Sequence, residues 1–314
     1  MGRAYIASET LSLSRRRTAS VSGGILQFGD ASVRQSRRNM KAARIHNFGP
    51  PEVVVFEDLS RPVTGAGELL VRVRASGVAP WDAIIREGKS KVSPPPLTLG
   101  SDLSGIVAEV GPGVTDFRVG DEVYGVTNAQ FCGANAEFAV ASTGKVAKKP
   151  RSLSHLEAAS IPVAAVTAWQ MLFEYAHVVA GQSVLILGAG GNVGAYAVQF
   201  AARTGLDIVA IAGSKDLEFV RSLGAKTALD YRSVNFEEAI PQVDVLSDTV
   251  GGETLERAFG KLKTGGVLVS LVSTKPLPQR SGGRSVFFYA DVTTARRSYS
   301  KGENSRRVWA LFFH

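Results

Sequence analysis

The sequence holds a single cysteine, Cys132, among 314 residues. One thiol cannot close an internal disulfide, so a small disulfide-stapled scaffold is excluded. The four histidines, His46, His155, His177 and His314, form no ligand-spaced pair. No apolar run approaches the roughly eighteen residues that a spanning helix needs, so the body reads as soluble and no membrane partner is expected. No Gly-x-Ser-x-Gly elbow marks a hydrolase, and no internal repeat is visible.

Acidic residues are scarce at the two ends. Residues 1–39 carry seven arginines against Glu9 and Asp30, a net +5. Residues 292–314 carry Arg296, Arg297, Lys301, Arg306 and Arg307 against Glu303, a net +4. The total is +8, so the stretch between is nearly neutral. A basic groove for nucleic acid on the folded body is therefore not expected, although the tails alone can hold polyanions weakly. The Ser- and Arg-rich 1–39 stretch reads as disordered. It is either a non-native upstream extension, with the domain opening at Met40, or a mitochondrial-type transit segment. The first implies a cytoplasmic protein, the second a mitochondrial matrix protein.

Hydrophobic residues make up 45% of the chain, enough for two ordinary domains with real cores. From residue 40 to about 150 short apolar runs alternate with Gly and Pro turns: 69–75, 105–111, 121–125 and 137–141. That spacing predicts a compact all-β domain. Ser154 and Glu157 then form a capping box, and 158–175 is helical in composition, interrupted at Pro162. Beyond residue 183 the period changes. Strands are expected at 183–187, 208–212, 243–246 and 267–272. Helices are expected at 193–203, around Leu217, Val220 and Leu223, and at 253–262. Alternating strand and helix imply an α/β domain with a doubly wound parallel sheet.

Chemistry concentrates at Gly188-Ala189-Gly190-Gly191-Asn192-Val193-Gly194, between a predicted strand and a predicted helix. A pyrophosphate needs close backbone approach, free N–H groups and a positive dipole end, and this context offers all three. The alternative is a βα turn without ligand. An NAD site usually has an acidic residue at the far end of the second strand. Here that end reads Gly213-Ser214-Lys215, a hydroxyl and a cation with no acidic group among them, which suits the 2′-phosphate of NADPH. Asp207 lies at the wrong end of that strand. Alternatively, Lys215 only opens the next helix on a solvated face.

These phrases, with Ala75–Asp82, Gly100–Gly105, Val119–Gly125, Thr167–Gln170 and Asp248–Gly252, resemble the medium-chain dehydrogenase/reductase superfamily, quinone oxidoreductase branch, over about 40–291. The resemblance implies a GroES-like substrate domain (40–165) and a Rossmann NADP-binding domain (166–291). It implies NADPH as cofactor and a quinone or an α,β-unsaturated carbonyl as acceptor. It puts Lys215 and Tyr231 beside the 2′-phosphate and Gly213 near the adenosine ribose. Thr167, Val250 and Val272 fall on the nicotinamide side. Asp82 matches the family's acidic position in the substrate loop, as a catalytic or a loop-fixing group. Trp81 and Ile84 are the substrate candidates, Trp81 lining the pocket or packing in the β domain. A homodimer paired through residues 285–290 is also implied.

The chain departs from the family's zinc members at two positions. Ala79 stands where a zinc ligand Cys would be, and Ser101 where a ligand His would be, so no metal is expected. Without a Lewis acid, an already electrophilic acceptor is the easier one to reduce. Residues 292–314 lack helical period and strand alternation. The family's C-terminal return segment is therefore expected to be missing, as in a truncated or frame-shifted end. That leaves two further readings open, a folded cofactor binder with impaired catalysis and an RNA-binding or crystallin-like relative.

Overall fold

The structure is a computed structural model and describes residues 20–22, 25–27, 39–90, 93–232, 235–272 and 277–292. The rest of the 1–39 extension and the basic stretch from 293 onward lie outside the described residues. The chain divides into two compact units, one from Met1 to Val163 joined by Val292, the other from Ala164 to Asp291. No helix among the described residues is long and apolar enough to cross a membrane.

The first unit is built on antiparallel strands. In chain order these are β1 (Ser20–Ser22), β2 (Ile25–Gln27), β3 (Asn39–Ile45), β4 (Val54–Ser60), β5 (Glu68–Gly77), β6 (Leu97–Thr98), β7 (Asp102–Val110), β8 (Glu122–Val126), β9 (Phe138–Ser142) and β10 (Val146–Lys148). One sheet runs β1-β2-β5-β7-β8-β10, with β9 also paired to β5, and a smaller one runs β4-β3-β6. Leu69, Val71 and Val73 of β5 are buried with Leu103, Val107 and Val123, which is why the alternating half of that segment was legible as a strand. Two short strands stand within the extension expected to lack order: β2 pairs with β5, Ile25 opposite Gly77 and Gln27 opposite Ala75. Helix α1 (Pro80–Arg86) begins three residues after β5 ends.

Ser154 caps α2 (His155–Ala159): its hydroxyl accepts from Glu157 N at 3.2 Å, and the Glu157 carboxylate accepts from Ser154 N at 2.8 Å. Pro162 opens α3 (Pro162–Trp169) rather than merely interrupting a helix, because a proline fits the first helical turn, where no N–H is needed. Residues Gln170–Tyr175 continue as a π-helical turn.

The second unit carries a six-stranded parallel sheet. Its strands are β11 (Ser183–Leu187), β12 (Asp207–Ala212), β13 (Thr227–Asp230), β14 (Val243–Asp248), β15 (Leu262–Ser270) and β16 (Arg284–Phe287), in the order β13-β12-β11-β14-β15-β16. Its helices are α4 (Asn192–Thr204), α5 (Leu217–Ser222), α6 (Phe236–Ala239) and α7 (Gly252–Phe259). Leu185, Leu187, Val209, Ile211, Leu246 and Leu268 form one core with Phe236, Leu255 and Ala258. Phe200 of α4 meets Trp169 edge-on at 5.7 Å.

The expected helix 253–262 is shorter. It ends at Phe259 with Gly260 as its C-cap, and Leu262, buried in the sheet core, already opens β15. Strand β16 stops at Phe287 because Phe288 turns inward and stacks on Tyr175 at 4.2 Å. The strand order reverses direction between β11 and β14. In open parallel sheets that switch point, at the carboxyl ends of the strands, is where ligands bind.

Candidate functional site

In the second unit the turn that leaves β11 lies at this switch point. Gly188 has φ +74, and both its N–H and that of Ala189 donate to Ile211 O at 3.0 Å, strapping the turn to β12. A Cβ on Gly188 would collide with the Thr249 hydroxyl, and one on Gly194 with the Gly188 carbonyl oxygen. Both positions therefore require glycine for close backbone approach. Gly191 is the N-cap of α4 and provides no side-chain cap, so the first-turn N–H groups at Asn192, Val193 and Gly194 have no intrahelical acceptor. Gly191 and Asn192 are exposed. An exposed, uncapped helix start beside a glycine turn fits a pyrophosphate.

The turn after β14 is drawn up beside it. Asp248, fully buried, accepts from Val250 N at 2.9 Å, Gly251 N at 2.8 Å and the Ser270 hydroxyl at 2.6 Å. The Thr249 hydroxyl donates to Leu187 O at 2.8 Å. Val250 and Val272 are thereby left 44% and 43% exposed at the strand ends. Sequence reasoning missed Asp248 as the organiser of this turn; its place at a strand end just before Gly251 and Gly252 was the available signal.

At the end of β12, Gly213 leads into a 3-10 turn over Ser214–Asp216, with Ser214 and Lys215 exposed. Tyr231 N donates to Ala212 O at 3.2 Å, which anchors Tyr231 at the same strand end. The Arg232 guanidinium lies over the Tyr231 ring, 4.8 Å from its centre. Sequence reasoning missed Arg232, whose signal was adjacency to Tyr231. It also took this strand end to be free of acid, and that needs correction. Asp216 packs against the glycine turn: a Cβ on Gly190 would lie 2.7 Å from the Asp216 Cβ and 3.0 Å from its Oδ2. The turn Ser214–Asp216 brings the fourth residue back to the strand end that the first three leave. Thr167 is buried in α3.

In the first unit the candidates lie at the start of α1. Asp82 is buried, and both its oxygens are engaged: Oδ2 accepts from Ala79 N at 2.7 Å and Oδ1 from Gly100 N at 3.2 Å. Burial, with the Asp102 carboxylate adding to it against these backbone bonds, pushes its pKa up to about 7. Asp102 is also buried. Its Oδ2 accepts from the Ser101 hydroxyl at 2.6 Å and its Oδ1 from Val163 N at 2.8 Å, and burial raises it to about 6. The Trp81 indole N–H donates to Ser101 Oγ at 2.9 Å. Trp81 packs beside Phe131, with ring centroids 6.3 Å apart and planes at 74°. Ile84, in contrast, is 46% exposed.

At the two positions discussed for zinc, Ala79 has no ligand atom and the Ser101 hydroxyl is committed to Trp81 and Asp102. No group of three or more His, Cys, Asp or Glu that could hold a metal ion occurs among the described residues.

Two family models match the chain, the alcohol dehydrogenase GroES-like domain at residues 65–151 and the zinc-binding dehydrogenase domain at residues 192–301. The human NAD(P)H oxidoreductase RTN4IP1, mitochondrial, is 34% identical over 303 residues, covering 87% of this chain and 76% of its own. The quinone oxidoreductase of Pongo abelii is 34% identical, covering 73% of this chain and 72% of its own. An NADPH-dependent alkenal/one oxidoreductase, chloroplastic, of Arabidopsis thaliana is 33% identical, covering 82% and 68%. Among solved structures, the quinone oxidoreductase from Coxiella burnetii superposes with a TM-score of 0.76 at 29% identity, covering 87% of this chain and 89% of that one.

Proposed function

The chain belongs to the medium-chain dehydrogenase/reductase superfamily, in its quinone oxidoreductase branch, and on that premise we propose that it is a zinc-independent, NADPH-dependent oxidoreductase acting on a quinone or an α,β-unsaturated carbonyl. The observation that carries this reading is the glycine turn after β11, with its uncapped α4 N-terminus at the switch point of the sheet. Relatives named for quinone, NAD(P)H and alkenal/one reduction favour this over an RNA-binding or catalytically impaired protein.

The residues present do not fit a catalytic zinc ion, since neither Ala79 nor the committed Ser101 hydroxyl offers a free ligand. An acceptor that is already electrophilic suits such a site, because it needs no Lewis acid to take up a hydride. The reduced nicotinamide supplies that hydride when bound. The backbone N–H groups of Asn192, Val193 and Gly194 hold the pyrophosphate. Lys215, Tyr231 and Arg232, near the end of β12, would hold the 2′-phosphate. Val250 and Val272 present apolar surface on the nicotinamide side and keep water from it. Asp82 holds the substrate loop by tying Ala79 to Gly100, and Trp81 and Ile84 face the acceptor. Most of the rate gain expected of such residues is alignment of two reactants.

The place of β16 at the end of the sheet among the described residues supports a homodimer formed through that strand. A relative's mitochondrial name favours the transit-segment reading of residues 1–39, and hence the matrix, over the cytoplasm. The test of function is NADPH oxidation by the purified chain with 1,2-naphthoquinone, 9,10-phenanthrenequinone and a simple enone. Turnover of at least one of these is expected. Cofactor binding without turnover of any would remove the proposal.

A further inference from the structure

Trp81 carries a polar anchor more elaborate than packing requires. A buried indole N–H needs one acceptor, and a backbone carbonyl would serve. Here the acceptor is the side chain of Ser101, 1% exposed, backed by the buried carboxylate of Asp102. Burying a carboxylate is costly unless it is hydrogen-bonded, and Asp102 is engaged by Ser101 Oγ, by Val163 N and by its own backbone N–H.

While Asp102 is ionised, the proton directions among these groups are fixed. An indole N–H can only donate, so Ser101 Oγ accepts from it, and the single Ser101 proton goes to Asp102. The hydroxyl has no alternative rotor that keeps both bonds, and the indole is pinned at its nitrogen.

A second device acts on the same ring from another segment. Phe131, whose ring packs at 74° to that of Trp81, has φ +57, a left-handed conformation rare for an aromatic residue. It is held there by its neighbours. Asn128 Oδ1 accepts from Gln130 N at 2.9 Å, Asn128 Nδ2 donates to Cys132 O at 2.8 Å, and the Thr127 hydroxyl donates to the same carbonyl at 2.7 Å. Backbone strain of this kind persists only where its surroundings over-determine it. Two independent devices thus converge on the orientation of one indole. That indole is only half-buried and stands beside the exposed Ile84 on α1.

We propose that Ser101, with Asp102 behind it, is a positioning residue that sets the plane of Trp81, so that the solvent-exposed part of the indole is a fixed wall against which a flat conjugated acceptor stacks. The proposal rests on the quinone or enone reading of the function. Phe131 is the backstop that keeps the ring from tilting away.

The test uses the full chain with Ser101→Ala and Ser101→Thr. Each protein is compared with its own Trp81→Phe counterpart, so that the difference isolates Trp81 from Trp169 and Trp309. In Ser101→Ala the Trp81 emission should shift to the red and become more accessible to acrylamide. The Kd of 9,10-phenanthrenequinone, read from quenching of that emission without turnover, should rise about tenfold, the equivalent of one lost hydrogen bond. The acceptor KM should rise with it while kcat changes far less, and the Kd of NADPH should stay as in the wild type. Ser101→Thr, which keeps the hydroxyl, should recover most of the loss. An unchanged Trp81 emission in Ser101→Ala would overturn the proposal, as would a shifted emission with unchanged quinone affinity. A wild-type chain whose Trp81 emission the quinone does not quench would also overturn it. A wild type that is quenched but never oxidises NADPH would sink the activity and leave the positioning standing.

Discussion

The turn after β11 and the start of α1 are built by opposite means. At the turn, side chains are left out: glycines bring the backbone of Gly188 and Gly194 into contact, and the groups on offer are N–H donors of an uncapped helix. At α1, side chains are buried: Asp82, Ser101 and Asp102 take up backbone and indole donors in the interior. A site made of backbone is indifferent to protonation and intolerant of added atoms. A site made of buried carboxylates tolerates little change in charge and responds to pH.

The sharpest way to break this contrast is to add one methyl group at the turn. Gly194→Ala puts a Cβ into the Gly188 carbonyl and within 2.7 Å of Ala189 Cα, whereas Gly191→Ala meets only Gly188 O at 3.3 Å. Gly194→Ala is expected to lose about 3 kcal/mol or more of stability and about a hundredfold in NADPH affinity. Gly191→Ala should lose less than about 1 kcal/mol. Thermal unfolding and a fluorescence titration check both, and equal losses would mean the turn is not packed as described.

The next largest effect is expected at Asp82. Its folded pKa of about 7 lies above the ordinary aspartate value of 3.8, so the folded state holds a proton that the unfolded chain has released. The stability this proton confers is complete below about pH 4, falls as pH rises, and is gone once pH passes about 7. Asp102 acts with the same sign up to about pH 6. Asp82→Asn turns one backbone-facing acceptor into a donor and should cost about 1–3 kcal/mol at low pH. Between about pH 6 and 7 the wild type should go on losing stability relative to the variant. Chemical denaturation across that range reads it; parallel curves would show that Asp82 titrates normally.

A smaller effect is expected at the cofactor's 2′-phosphate. Lys215→Ala should weaken NADPH about tenfold, near the energy of one hydrogen bond to a charged group, and NADH by less than about twofold. Arg232→Ala should do the same at about threefold, as an exposed charge that salt screens. Equal losses for both cofactors would remove the 2′-phosphate from this strand end.

The same contrast explains what could be read from the sequence. Strand β11 and helix α4 were legible because a buried apolar run, a glycine cluster and a C-cap at Gly205, φ +78, follow one another along the chain. Position 262 misled because a leucine one helical turn beyond Ala258 also begins a buried strand. Strand β13 went unnoticed because four residues are too few to show a period. The anchor of Trp81 was illegible for a different reason. Ser101 is an ordinary residue twenty positions away, and only the pairing of loops in space makes it an acceptor. Asp216 was overlooked for a similar reason, since the tight turn over Ser214–Asp216 folds it back toward Gly190.

The most direct measurement of the central claim is the initial rate of NADPH oxidation by the purified wild-type chain, with and without 9,10-phenanthrenequinone. Oxidation that depends on the quinone, survives a strong zinc chelator and is much slower with NADH at equal concentration is the expected result. Tight NADPH binding with no oxidation of either cofactor by the quinone or an enone, or activity abolished by the chelator and restored by zinc, would contradict it.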